Sequence, residues 1–179
     1  MARSRKKKQT NPTSNGNGMS HDFHPDETDQ AILQYLQHNG RMTNAELASR
    51  VGLSPPSTLE RVRKLEDRGI IRGYVALLDP VSVNRGTVVL VSLTLREHGH
   101  QPLEAVKEAL NSLDEVLSVW HTAGDDDFVA KIAVPDLAAY EQFVSRRLSA
   151  IPHISRIRST IVLSTCKDST ELTLDGPSD

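Results

Sequence analysis

Two short stretches carry the residues able to do chemistry. "TAGDDDFV", residues 122–129, sets three successive aspartates behind a glycine, and "PPSTLERVRKLEDRG", residues 55–69, spaces Ser57, Arg61, Lys64 and Arg68 three or four apart. Gly124 lets a ligand approach the backbone closely. Neighbouring N–H groups could hold a carboxylate while Asp125 or Asp127 pairs with an ammonium. An ordinary hairpin turn with solvated carboxylates is the competing reading. Hydroxyl and basic side chains sharing one helical face suit phosphates and base edges. Three aspartates also raise a divalent cation, but adjacent strand residues point to opposite faces, so one ion held by all three is not expected. "REHGH", residues 96–100, brings His98 and His100 close, yet no further Cys or His completes a zinc pattern. With no Gly-x-Ser-x-Gly, no phosphate-binding glycine loop and no Cys–His set, neither an enzyme nor a cofactor is expected.

The basic stretch needs a helix with a fixed entry. Ser54 is a candidate N-cap, with Pro55 and Pro56 in the first turn where a missing N–H costs nothing. Ser57 with Glu60 also spells a capping box, which leaves either serine as the start. Leu59, Val62 and Leu65 form an apolar stripe, and Gly69 is a left-handed stop. Upstream, Ile32, Leu33 and Leu36 mark a first helix ended by Asn39-Gly40. Thr43 or Asn44 caps a second helix that runs through Leu47, Ala48 and Val51. Gly52-Leu53-Ser54 then turns into the basic helix. This is the helix-turn-helix pattern, whose second member enters the major groove of double-stranded DNA. The candidate DNA contacts are Thr43, Ser54, Ser57, Thr58, Arg61, Lys64 and Arg68. A solvated face of an ordinary helical bundle is the alternative, since Glu60, Glu66 and Asp67 dilute the basic charge. Residues 70–77, "IIRGYVAL", read as a linking strand.

The acidic turn needs two strands. "EVLSVWHTA" and "DFVAKIAV" flank it, with Phe128, Ala130, Ile132 and Val134 alternating. Before them come a strand with Val89, Val91, Leu93 and Leu95 on one face and a helix opened by Pro102. After them come a helix capped by Asp136 and a strand, "SRIRSTIVLSTC". The order β-α-β-β-α-β is a ferredoxin-like unit. Val88 and Leu90 leave its second sheet face apolar, and a homodimer is the simplest cover. The fold expected is therefore α+β. Residues 1–22 are a basic disordered tail, 23–72 the helix-turn-helix domain and 73–86 a linking strand and linker. Residues 87–167 are the ferredoxin-like domain and 168–179 a C-terminal tail.

Charge is distributed accordingly. The net charge is −2, but residues 1–20 hold five basic residues and no acid, whereas residues 81–179 hold nine basic against fourteen acidic ones. One end suits DNA and the other does not. "RKKK" reads as a DNA-backbone arm, a nuclear signal or a solubilising extension, and Met19 as an alternative start. The lone Cys166 permits no internal disulfide and reads as a small buried hydrophobe of a reducing compartment. No apolar run approaches membrane-spanning length, and the basic start lacks an apolar core behind it, so a cytoplasmic protein is expected.

Residues 26–167 resemble the leucine-responsive regulatory protein/AsnC, or feast/famine, family of transcription regulators. "NAELASRVGLSPPSTLERVRKLEDRGIIRGYVALLDP" is similar to that family's helix-turn-helix and linking strand, and "HTAGDDDFVAKIAVPDLAAYEQFV" to its second signature. The resemblance implies a winged-type DNA-binding domain joined to an amino-acid-sensing domain. It implies dimers that assemble further, often to octamers, with an amino acid bound between dimers that changes assembly or operator affinity. The family's Gly-Asp-x-Asp turn falls on Gly124, Asp125 and Asp127. His121 and Thr122 precede it, and these five residues are the expected effector site. A nucleoid-organising protein with little effector dependence and a regulatory subunit of an enzyme are the alternative functions.

Overall fold

In a computed structural model of the chain, residues 24–97 and 99–174 are described. The basic tail and Met19 lie outside them, as does His98. Two compact units result: residues 24–74 together with 170–174, and residues 75–169.

The first unit is three helices, α1 Glu27–His38, α2 Asn44–Val51 and α3 Pro55–Asp67. Each start is set by a local side chain. Asp26 Oδ1 accepts from the Asp29 N–H at 2.8 Å. Thr43 and Glu46 close a reciprocal capping box around α2. α3 starts at Ser54, whose Oγ accepts from Ser57 N–H at 3.3 Å, with the prolines at the first two helical positions. The Ser57/Glu60 box is not used; the Ser57 hydroxyl bonds to Ser54 instead. The end of α3 is a Schellman motif. Gly69 lies at φ 70°, its N–H donates to Glu66 O, and Ile70 N–H donates to Leu65 O. Ile32, Leu33, Leu47 and Leu65 form the core of this unit.

The second unit has β1 Thr87–Leu95, α4 His100–Asn111, β2 Val116–His121, β3 Phe128–Val134, α5 Leu137–Phe143 and β4 Ile154–Ile161. The sheet is antiparallel in the order β2-β3-β1-β4, the ferredoxin-like arrangement. α5 runs on through one π-turn, Val144–Leu148, a widening the side-chain periodicity does not announce. Val89, Val91, Leu93, Phe128 and Ile132 meet Val106, Leu110, Phe143 and Leu148 in the core. At roughly 1.5–3 kcal/mol per buried large apolar side chain, this face holds the unit together.

The opposite sheet face is open. Leu90 is half-exposed there, as is Trp120, and a β-bulge leaves Leu117 on β2 without a cross-strand partner. A cleft of about 460 Å³ is bounded by Val88, Leu90, Leu117, Ala133 and Val162 on the sheet and by Leu78 and Val83 of the linker.

Two expectations change. Residues 70–77 form no strand: Gly73 takes φ 152°, Val75 and Leu77 stand 85% and 76% exposed, and the segment pairs with no strand among the described residues. Cys166 is exposed and lies beyond β4, which stops at Ile161. Residues 170–174, within the expected C-terminal tail, group with the helical unit.

Candidate DNA and effector sites

α3 is aimed by contacts at its start. Gly52 takes the left-handed conformation that closes α2 and turns the chain. Asn44 Nδ2 then donates to Pro55 O at 2.7 Å, tying the start of α2 to the start of α3. Around α3 the candidate residues divide. Ser57, Lys64 and Arg68 are exposed, as are Ser54 and Thr43 at the caps. Thr43 Oγ1 is engaged with Glu46, and the Thr43 backbone N–H bond is the main reason the Glu46 carboxyl sits below its ordinary value.

Thr58 and Arg61 do not stand where the sequence reading put them. Thr58 is fully buried and its hydroxyl donates back to Ser54 O at 3.1 Å, so it packs the turn rather than facing a groove. Arg61 Nη1 donates to Asp26 Oδ2 and to Asp29 Oδ1, both at 2.7 Å. Its charge binds α3 to α1. The Asp29 carboxylate is buried, with 4% of its side chain exposed, and Arg61 is what makes that burial tolerable. The Asp26 carboxyl is held below its usual range, first by the Asp29 N–H and then by Arg61. The Arg61 guanidinium is raised by the same two carboxylates. Arg63, which the sequence reading passed over, is exposed on the outward face of α3. The helical repeat measured from buried Thr58 and Leu65 would have pointed to it.

The turn between β2 and β3 also divides. Gly124 takes φ 152° with open space where a side chain would stand, and Asp125 beside it is exposed. Asp127 turns inward: its N–H donates to Leu93 O at 2.9 Å and its Oδ2 accepts from Leu95 N–H at 2.7 Å. Thr122 closes the turn, donating from N–H to Asp127 O and from Oγ1 to Asp126 O. His121 is exposed and its ring lies 5.3 Å from that of Phe128. The missed residue is Asp126. Its carboxylate meets both Arg156 and Arg158 of β4 and, at 3.4 Å, the Thr94 hydroxyl. The alternation of Arg156 and Arg158 opposite Thr94 and Ser92 was the available signal. The three aspartates thus diverge, and among the described residues no group of three or more His, Cys, Asp or Glu is placed to hold a metal ion.

A capped helix on a three-helix unit, followed by a ferredoxin-like unit with an open glycine–aspartate turn, defines a class: a DNA-binding transcription regulator with a separate ligand-sensing domain. Residues 25–72 match the winged helix-turn-helix DNA-binding model, and residues 88–172 match the Lrp/AsnC ligand binding domain. The leucine-responsive regulatory protein of Escherichia coli K12 is 38% identical over 149 residues, covering 83% of this chain and 91% of that one. A Neisseria meningitidis transcriptional regulator solved with L-methionine superposes with TM-score 0.80 at 38% identity, covering 84% of this chain and 97% of that one. An AsnC family regulator from Agrobacterium tumefaciens gives 0.79 at 36%, covering 83% and 96%. The chain belongs to the Lrp/AsnC family. It is a DNA-binding transcriptional regulator with an amino-acid ligand-binding domain, and not an enzyme.

Proposed function

We propose that this regulator works in the cytoplasm as a homodimer that assembles further, to an octamer, and that an amino acid bound at the β2–β3 turn sets its operator affinity. The observation that carries the effector site is the open backbone at Gly124 beside exposed Asp125. Asp125 pairs with the α-ammonium, the N–H groups near Gly124 receive the α-carboxylate, and His121 lines the approach. Thr122 and Asp127 hold the turn in shape. L-methionine is the first ligand to try, since the Neisseria relative was solved with it. On DNA, Ser54, Ser57, Lys64 and Arg68 contact the duplex from α3, Arg63 joins them, and Thr43 reaches it from the start of α2.

Dimerisation is supported by the open sheet face and by the exposed linker residues Val75, Leu77 and Leu78. A second copy would supply the strand edge that residues 70–77 lack. Among the described residues no helix is long and apolar enough to cross a membrane. Calorimetric titration of the twenty amino acids, with sedimentation velocity of the free and saturated protein, tests the reading. Saturable binding with a change in assembly supports it. No heat from any amino acid, or a monomer throughout, contradicts it.

A further inference from the structure

β4 ends at Ile161, yet the chain goes on to make further specific contacts. Residues 170–174 belong to the helical unit, where they lie along α1. Gln37 grips Leu172 by both peptide groups: Nε2 donates to Leu172 O at 3.1 Å, and Leu172 N–H donates to Oε1 at 2.7 Å. A side-chain amide is a peptide analogue, so the helix offers the strap one rung of β-type pairing. Beside it the Glu171 carboxylate lies 3.4 Å from His38 Nδ1. Two residues on, Leu174 packs against the cluster of Ile32, Leu33, Leu47 and Leu65. Nothing in these contacts concerns DNA or an effector.

We infer that residues 171–174 are a releasable latch, in which the segment after β4 closes on α1 of its own DNA-binding unit. The chain leaves that unit at Tyr74 and returns to it at Thr170, so two segments connect it to the ligand-binding unit: the linker before β1 and the segment after β4. A displacement of β4 reaches α1 through the eight intervening residues when the latch is closed, and not when it is open. Coupling between two sites requires an element with two arrangements, and this strap is one.

The contacts are suited to release. The Gln37 and Glu171 pairs are solvent-exposed, and Leu172 is 73% exposed. Exposed polar pairs contribute little net free energy. Most of the hold is therefore the one half-buried leucine, Leu174. The contrast is with Arg61, whose partner Asp29 is buried and whose contact cannot open without leaving a charge stranded.

Two experiments on the full chain test the latch without knowledge of the operator or the amino acid. In Leu174→Asp, the amides of α1 should exchange with solvent about tenfold faster than in wild type, while those of β1–β4 keep their rates, because the opening is local. In a Cys166→Ser background, Gln37→Cys with Leu172→Cys should be bridged by a short bis-maleimide within one chain, read by mass on a denaturing gel. Unchanged α1 exchange in Leu174→Asp overturns the inference, as does a bridge that joins two chains or fails to form.

Discussion

Arg61 and Asp126 have the same local arrangement with opposite sign. Arg61 is one cation between two carboxylates, and Asp126 is one carboxylate between two guanidiniums. Their surroundings separate them. Arg61 reaches a buried partner inside the helical unit, so its pairing is part of that unit's core. Asp126 lies on the open sheet face, where Arg156 and Arg158 remain 58% and 59% exposed. A charged side chain on a helix or strand is assigned by what lies across from it, not by the face its spacing places it on.

That difference is sharpest in stability. Arg61→Ala leaves Asp29 buried without its partner, and a loss of about 1–3 kcal/mol in urea unfolding is expected. The expectation carries a pH signature. The Asp26 carboxyl is depressed from 3.8, so the stability it contributes is present above that value and fades as pH falls toward the lowered one. Arg61→Ala should flatten this acid limb; an unchanged acid limb would separate Asp26 from Arg61.

Asp126→Asn should act differently. The pairs it removes are partly exposed, so monomer stability should change by less than about 1 kcal/mol. Two uncompensated guanidiniums would then repel their counterparts if the open face meets a second copy. The dimer dissociation constant, from sedimentation equilibrium, should rise several-fold and recover partly in high salt. No change in association would place the dimer contact elsewhere.

Arg63→Ala and Lys64→Ala should have the smallest effect on folding, within about 0.5 kcal/mol, because both lie on the exposed face of α3. Their effect should appear in DNA binding. Each lost phosphate contact should lower the slope of log affinity against log salt by about 0.9. Slopes equal to wild type would remove that residue from the interface.

How much of this could be read from the chain follows from where the determining partner lies. The α3 start was legible because Ser54, Pro55 and Pro56 are adjacent, and its end because Gly69 follows directly. The core face of the sheet was legible because Val89, Val91, Leu93 and Leu95 alternate. Arg61 was not, because Asp29 and Asp26 stand 32 and 35 positions away. Asp126 was missed for the same reason: its partners come from β4, 30 and 32 positions on, while the resemblance drew attention to the aspartates on either side. The linking strand failed in another way. Residues 70–77 have strand-forming side chains, but a strand also needs a partner, and the segment pairs with none of β1–β4.

The proposed function divides the labour, with the β2–β3 turn reading an amino acid and α3 reading DNA. Its most direct test is fluorescence anisotropy of an operator selected from random duplexes, titrated with wild type and Asp125→Ala, with and without the amino acid identified by calorimetry. Loss of a charge-assisted bond to the ammonium should weaken the effector roughly tenfold or more. The variant should therefore bind DNA as wild type does when effector is absent and lose the response when it is present. A variant that responds to the amino acid as wild type does would contradict the account and leave the turn as a turn only.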